Sequence, residues 1–306
     1  MGSFILRRLW QGLLVVLGVT LTVFVVTRVF GDPVSLMLPL TATAEQRAAF
    51  AHEIGLDRPL LVQFLGFMRD LVALDFGNSL WQRRPAIEVV FERLPNTLLL
   101  IVAGLGFAIL ASIPLGIIAA LRPGGIVDRL TVSLGLIGLS MPQFWVGLLF
   151  IVIFAVQLKL LPTSGMGTPA HLILPALTLG LTPLARLTLL VRSSMIDELN
   201  QQYIKAARAK GLGLSRILGV HALRNVLISF LTLTGWELIS ILAGYTVVVE
   251  TVFAWPGLGL TAMQAIQRGD LFLMQAIVFS IAFLIVLINI ALDIAFKMID
   301  PRINLN

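Results

Sequence analysis

The sequence predicts an all-α integral membrane protein that crosses the bilayer six times. Hydrophobic residues occupy 58% of the 306 positions, charged residues occupy only 12%, and the mean hydropathy is +0.97. Soluble domains are about half apolar and about a quarter charged. The apolar residues form continuous runs of about 20 residues, which is the length of a membrane-crossing helix and lacks the alternation of a barrel strand.

Six runs have this length, and with their loops they account for residues 1–306 as one transmembrane domain. The first follows Arg7 and Arg8 as a secretory signal does. It exceeds the roughly 7 to 15 apolar residues of a signal core, so we expect it to remain in the mature chain. The predicted spans are residues 9–30, 97–121, 130–156, 171–191, 226–249 and 271–296.

Basic residues are concentrated on one side of these spans. The short loops of the other side contribute only Lys159 and Arg268. Because cytoplasmic loops carry the excess of positive charge, both termini are predicted to be cytoplasmic. The residues assigned to the cytoplasmic side are Arg7, Arg8, Arg122, Arg129, Arg186, Arg192, Lys205, Arg208, Lys210, Arg216, Arg224, Lys297 and Arg302.

One loop, residues 31–95, is long and lies outside. Thr43 and Gln46 are spaced as a capping box, and Gly55 is a plausible helix end. Apolar residues then recur at helical spacing between Leu60 and Val72. The loop is therefore predicted to contain short helices over the outer mouth, where an external lid and a docking surface both fit the pattern.

The second and third spans contain features that bear on packing. Gly104, Ala108, Ser112 and Gly116 recur every four residues and form a ridge of small side chains. Such a ridge fits close packing within the bundle, and it also fits a face that slides between two packings. In the third span Pro142 should kink the helix, and the adjacent Gln143 then lines a polar path or bonds a neighbouring helix.

Glu237 is the one carboxylate in the interior of a predicted span. A charge at that depth is costly and must face protein or water. Ser240 and Gly244 share its helical face, so a stripe along the translocation path is one interpretation. A structural hydrogen bond to another helix and a coupled proton site are the other two.

The polar loop at residues 196–222 is the most informative segment. Small residues there allow close approach of another surface, and the neighbouring basic residues favour the cytoplasmic side. Gly211 and Gly213 would end the short helix. The residues proposed to contact a partner are Tyr203, Lys205, Ala206, Ala207, Arg208, Ala209, Lys210, Gly211, His221, Arg224 and Asn225.

In type and spacing this loop resembles that of the permease subunits of binding-protein-dependent ABC importers, in the dipeptide, oligopeptide, glutathione and nickel branch. Lys205 stands where many of these permeases have Glu, a departure associated with the peptide branch. Proline and glycine clusters extend the resemblance over nearly the whole chain. They are Gly31-Asp32-Pro33, Leu94-Pro95-Asn96-Thr97, Ser140-Met141-Pro142, Leu161-Pro162-Thr163, Trp255-Pro256-Gly257-Leu258-Gly259 and Asp300-Pro301-Arg302.

The resemblance implies a type I ABC importer permease in a bacterial cytoplasmic membrane. It further implies a second homologous permease, two ATPase subunits that use ATP and Mg, and an external solute-binding protein. No cofactor is expected on this chain, because it has no phosphate-binding loop. The alternative is a secondary transporter driven by an ion gradient, which would use Glu237 as proton carrier.

Other functional classes receive little support from the residues. There is no cysteine, and His52, His171 and His221 form no metal-binding motif. Ser140 lacks the following glycine of a nucleophile elbow, and no catalytic residue is predicted. The net charge of +6 is spread among loops without base-stacking aromatics, so nucleic-acid binding is not expected.

Overall fold

A computed structural model describes residues 2–26, 34, 38, 41–53 and 55–299. The described residues form helices and loops, and they contain an isolated β-bridge between Asn78 and Pro85 but no β-strand. In chain order the helices are α1 (Gly2–Val25), α2 (Ala44–Glu53), α3 (Leu60–Val72), α4 (Ala86–Leu121), α5 (Ile126–Ser140), α6 (Gln143–Gln157), α7 (Pro169–Leu199), α8 (Gln202–Ala209), α9 (Leu214–Val252), α10 (Leu258–Gln267) and α11 (Leu271–Ile299).

The predicted number of crossings is confirmed. Within the described ranges, α1, α4, α7, α9 and α11 are each long and apolar enough to span a bilayer. A sixth crossing results when α5 and α6 are taken together as one broken span, with a bend of 107° at the break. Pro142 lies at that break and causes it, because it follows the end of α5 and removes a backbone donor.

The chain divides into two compact units, Met1–Thr97 with Pro256–Ala291 and Leu98–Trp255 with Leu292–Asn306. The first unit contains the external segment, whose predicted short helices are α2 and α3. The capping box is present, with Gln46 N donating to Thr43 Oγ1 at 3.2 Å and Thr43 N donating to Gln46 Oε1 at 3.0 Å. Gly55 adopts φ +69° just beyond α2, as its predicted role requires.

Asp270 ties this external segment to the start of α11. Its carboxylate is buried and accepts hydrogen bonds from Ser79 Oγ at 2.5 Å and from Trp81 N at 3.2 Å. It also caps α11 by accepting from Leu273 N at 3.1 Å. The apolar core beneath consists of Leu71, Phe76, Ala86, Val89, Val90, Leu258, Ala265, Leu273, Ala276 and Ile277.

The second unit is built around α7, against which the small ridge of α4 lies. A Cβ on Gly104 would meet the Ala176 carbonyl oxygen at 3.0 Å, and one on Gly116 would meet Val191 at 2.6 Å. Ala108 and Ser112, between them, are fully buried. Only small residues therefore permit this separation of the two helix backbones.

Several boundaries differ from the predictions. Pro95 precedes the predicted second span but lies inside α4, because the turns before it bury Val89 and Val90 in the first unit's core despite the lost hydrogen bond. Trp255, at the start of one of the proline and glycine clusters, is buried. The clusters at 31–33 and 300–302, and the end of the first span at 27–30, lie outside the described residues.

Candidate functional site

The short helix α8 stands between two membrane-spanning helices, α7 and α9. Two of its residues, Ile204 and Ala207, are buried, and their spacing of three places them on one face. Lys205, Ala206 and Arg208 are exposed. Sequence reasoning grouped Ala207 with the partner-facing residues, but the structure places it on the anchoring face.

The outward face of α8 continues into its C-terminal turn. We define the coupling surface by the exposed residues of this stretch, which are Lys205, Ala206, Arg208, Ala209, Lys210 and Gly211. Gly211 adopts φ +80°, its N–H donates to the Arg208 carbonyl at 2.9 Å, and a Cβ there would meet nothing within 4 Å. The glycine is required for its backbone angle and not for lack of space.

The inward face of α8 is embedded in the core of the second unit. Ile204 and Ala207 belong to one buried cluster with Val191 and Met195 of α7 and Ile217 of α9. Close-packed interiors resist compression and pass strain to their neighbours. The inward face of α8 is therefore packed against two membrane-spanning helices at once.

A polar network fixes the start of α8. The Tyr203 hydroxyl donates to the Glu198 carboxylate at the end of α7. Asn225 Nδ2, on α9, donates to Glu198 Oε2 at 3.2 Å and to the Tyr203 hydroxyl at 3.0 Å. Burial raises the pKa of Tyr203, and the hydrogen bond to Glu198 adds to the rise. Tyr203 and Asn225 thus orient α8. The sequence did not indicate Glu198 as their partner, because a single acidic residue near a helix end has no distinctive spacing.

His221 and Arg224 lie beyond α8, at the start of α9. His221 is half-buried within a π-helical segment, Ile217–Ala222, and Arg224 is exposed one turn later. Segments of π-helix are uncommon and often occur at functional positions. Arg224, being exposed and close in sequence to α8, adds positive charge near the coupling surface.

Within the span region, Glu237 is paired with an arginine that had been assigned to a loop. Glu237 is fully buried, and its Oε1 accepts from Arg186 Nη1 at 3.0 Å. The phenol of Tyr245 also interacts with this guanidinium. Arg186 lies inside α7, within the predicted span, and Arg192 also lies inside it because the helix runs to Leu199 and not to residue 191.

The other residues predicted for a polar path have separate surroundings. Gln143, at the start of α6, donates through Nε2 to the Leu179 carbonyl at 3.4 Å. Ser240 Oγ donates to the Trp236 carbonyl of its own helix at 2.9 Å. Gly244 lies in a π-helical segment, Ile241–Tyr245, beside open space. None of these three residues is hydrogen-bonded directly to Glu237 in the part of the chain that the structure describes.

A second ion pair connects α5 with α7. Arg192 donates to both oxygens of Asp128, with Nη2 at 2.7 Å from Oδ2. The same Oδ2 accepts from the Gly124 N–H at 2.7 Å, which holds the loop before α5. Asp128 is buried, and bidentate contact with Arg is a strong geometry. Sequence reasoning missed this pair because 64 residues separate its members.

Comparison with known proteins gives consistent results over the whole chain. The family described as the binding-protein-dependent transport system inner membrane component matches residues 112–305. Its N-terminal companion, described as the N-terminal region of such membrane components, matches residues 1–101.

Curated relatives match along almost their full lengths. The oligopeptide transport system permease protein AppB of Bacillus subtilis is 38% identical over 315 residues, covering 99% of both chains. The dipeptide transport system permease protein DppB of Escherichia coli K12 is 36% identical over 336 residues, again covering 99% of both.

A solved structure shares the fold. Inward-facing MetNI, a methionine ABC transporter, aligns with a TM-score of 0.58 at 21% identity, covering 69% of this chain and 96% of the other. This likeness confirms the expected type I permease fold.

Proposed function

The chain belongs to the family of inner membrane components of binding-protein-dependent transport systems, and from that premise we propose that it forms half of the translocation path of an ATP-driven peptide importer. It is a multi-pass membrane protein and a transporter subunit. Relatives at 36% and 38% identity are named for dipeptides and oligopeptides, which supports a peptide substrate. A related small solute, glutathione or a nickel complex, is the alternative substrate that the resemblance implies.

The observation that carries the proposal is the two-sided character of α8. Its inner face is anchored in a core shared with α7 and α9, and its outer face is small, basic and exposed. A segment like this suits a groove on another protein. We assign that groove to a cytoplasmic ATPase subunit, and we further propose that both termini lie in the cytoplasm and that the chain spans the inner membrane.

The assembly we propose has five parts: this permease, a second homologous permease, a pair of ATPase subunits and an external binding protein. ATP and Mg are used by the ATPase subunits. The external binding protein supplies the peptide, and the two permeases enclose the path between them.

Mechanically, ATP closes the ATPase pair and moves α8. The shared apolar core carries this movement into α7 and α9, and the Asp128–Arg192 pair carries it from α7 into α5. The bundle then exchanges an inward-open packing for an outward-open one. The bias comes from the ATPase pair fitting one packing better than the other, as any shift of populations requires.

The family assignment favours this function over the ion-gradient alternative. In addition, the carboxylate proposed as proton carrier is buried and paired with Arg186. This hydrogen bond between two helices of the chain fits the structural interpretation of Glu237 better than that of a proton carrier. Uptake that persisted in vesicles without ATP and collapsed with the proton gradient would restore the alternative.

The proposed contact can be tested with cysteines, since the chain has none of its own. Ala206→Cys and Ala207→Cys are adjacent substitutions, one on the exposed face of α8 and the other on the buried face. After labelling with a maleimide that carries a photoreactive group, illumination of the assembled transporter should cross-link residue 206 to an ATPase subunit. The buried neighbour should give little product. Efficient cross-linking of residue 206 to lipid or to the external binding protein instead would contradict the assignment.

A further inference from the structure

The position of Arg186 along α7 places it within the hydrocarbon layer. The helix has 31 residues and is therefore about 46 Å long. Arg186 lies roughly 26 Å from its first residue and roughly 20 Å from its last. A hydrocarbon layer of about 30 Å includes Arg186 wherever along the helix the layer is placed.

At that depth the surroundings of the guanidinium are restricted. The Arg186 side chain is 36% exposed, whereas Glu237 beneath it is 0% exposed. A cationic group facing lipid is strongly disfavoured, and such residues face the bundle interior or a water-filled cavity. The exposed side of Arg186 therefore marks the face of this chain that is turned away from lipid.

The ion pair leaves the guanidinium able to bind a second anion. Arginine carries five N–H donors, and its hydrogen bond to Glu237 is made by Nη1 alone. Tyr245 interacts with the same side chain. Glu237 thus holds the guanidinium from within the protein, and the exposed 36% of the Arg186 side chain is open to a ligand with carboxylate geometry.

We propose that Arg186 lines the translocation path and binds the terminal carboxylate of a peptide in transit, with Glu237 acting as a positioning residue behind it. This inference rests on the proposed function. A terminal carboxylate is common to peptides of every sequence, so a single arginine recognises the class without reading side chains. The negative charge of Glu237 offsets the positive charge of the guanidinium. The contact between Arg186 and the peptide carboxylate is therefore weak enough for the peptide to be released.

The test compares two substrates, one peptide with a free carboxyl terminus and the same peptide with an amidated terminus. Uptake of each is measured in proteoliposomes that contain the complete transporter, with external binding protein whose loading is determined separately. The wild-type assembly should import the free acid faster. Because a hydrogen bond to a charged group is lost, the ratio of the two rates should be about tenfold or more.

Two variants give opposite results if the proposal is correct. Arg186→Gln combined with Glu237→Gln removes both charges together and should bring the ratio close to one. Glu237→Gln alone leaves the arginine without its counter-ion and should raise the ratio while slowing release of the free acid. A merely structural role for the pair predicts no such divergence.

The matched control uses the other ion pair of α7. Asp128→Asn combined with Arg192→Gln removes the ion pair between α5 and α7; total uptake should fall, because this pair is assigned to coupling, but the ratio should keep its wild-type value. A ratio of one in the wild-type transporter, or a ratio unchanged in the Arg186 and Glu237 double variant, would overturn the inference while ATP-dependent uptake kept the proposed function intact. Loss of the second permease from the double variant would also overturn it, because the guanidinium would then bind a carboxylate of that subunit.

Discussion

Replacement of Gly211 by alanine tests whether the conformation of the coupling surface controls energy transfer. Gly211 has φ +80° and open space around its Cβ position. Alanine there is opposed by backbone strain alone, which amounts to about 1–2 kcal/mol for a residue in the left-handed region. Strain of that size lowers the population of the native turn roughly 5- to 30-fold relative to alternatives.

Gly213 offers a control two residues away. It has φ −67° and also has nothing within 4 Å of its Cβ position. Gly213→Ala therefore adds the same methyl group without the left-handed strain, and it should cost less than Gly211→Ala, since only the N-cap preference for glycine over alanine opposes it. The pair of variants separates backbone angle from the presence of a side chain.

The assay is the number of ATP molecules hydrolysed per peptide imported by the reconstituted transporter. Gly211→Ala should raise this number several-fold, because the turn that positions the coupling surface is populated less, whereas Gly213→Ala should match the wild type. Membrane insertion and subunit assembly should be unchanged in both. Equal coupling ratios for the two variants would refute the reasoning, since strain at Gly211 would then have no effect on transport.

Two further predictions concern the anchoring of α8. Ile204→Ala should lower the unfolding free energy of the second unit by about 2–5 kcal/mol, because it opens a cavity in a fully buried position. Lys205→Ala, at the exposed neighbouring position, should be close to neutral. Thermal melting of the purified assembly distinguishes the two variants. Tyr203→Phe should cost about 1–2 kcal/mol locally by removing the donor to Glu198, detected as faster hydrogen exchange in α8. Because the pKa of Tyr203 is raised in the folded state, its contribution should be constant up to about pH 10, the unfolded value, and then be lost as the pH passes through the higher folded value. A decline already complete at neutral pH would contradict this origin.

Sequence periodicity and length were sufficient to predict the transmembrane fold. The spans are long and apolar, so their existence follows from the cost of unpaired backbone in lipid. Pro142 was correctly predicted to interrupt the third span, because proline lacks a donor whatever its tertiary surroundings. Pro95 follows the same chemistry but lies within α4, because burial of the preceding turns decided the outcome.

The site was predictable in its location but not in its pairings. Composition alone indicated the polar loop that contains α8, since basic and small residues there interrupt an apolar chain. Assignment of Ala207 to the inner face required the register of an eight-residue helix against its neighbours. Likewise Arg186 joins Glu237 across 51 residues of sequence, a separation that no local pattern encodes. Long-range electrostatic pairing is a property of the packed helices.

The arrangement around α7 has a consequence for how the protein tolerates variation. Along its length this helix contacts the small ridge of α4 and the apolar side of α8. Its two arginines also bond carboxylates on α5 and α9. A random substitution on α7 therefore disturbs several of these contacts together, and it will tend to abolish production of the folded protein. Consider a genetic selection for strains that hydrolyse ATP without importing the solute. The recovered substitutions should lie mainly on the surrounding helices, and few should lie on α7.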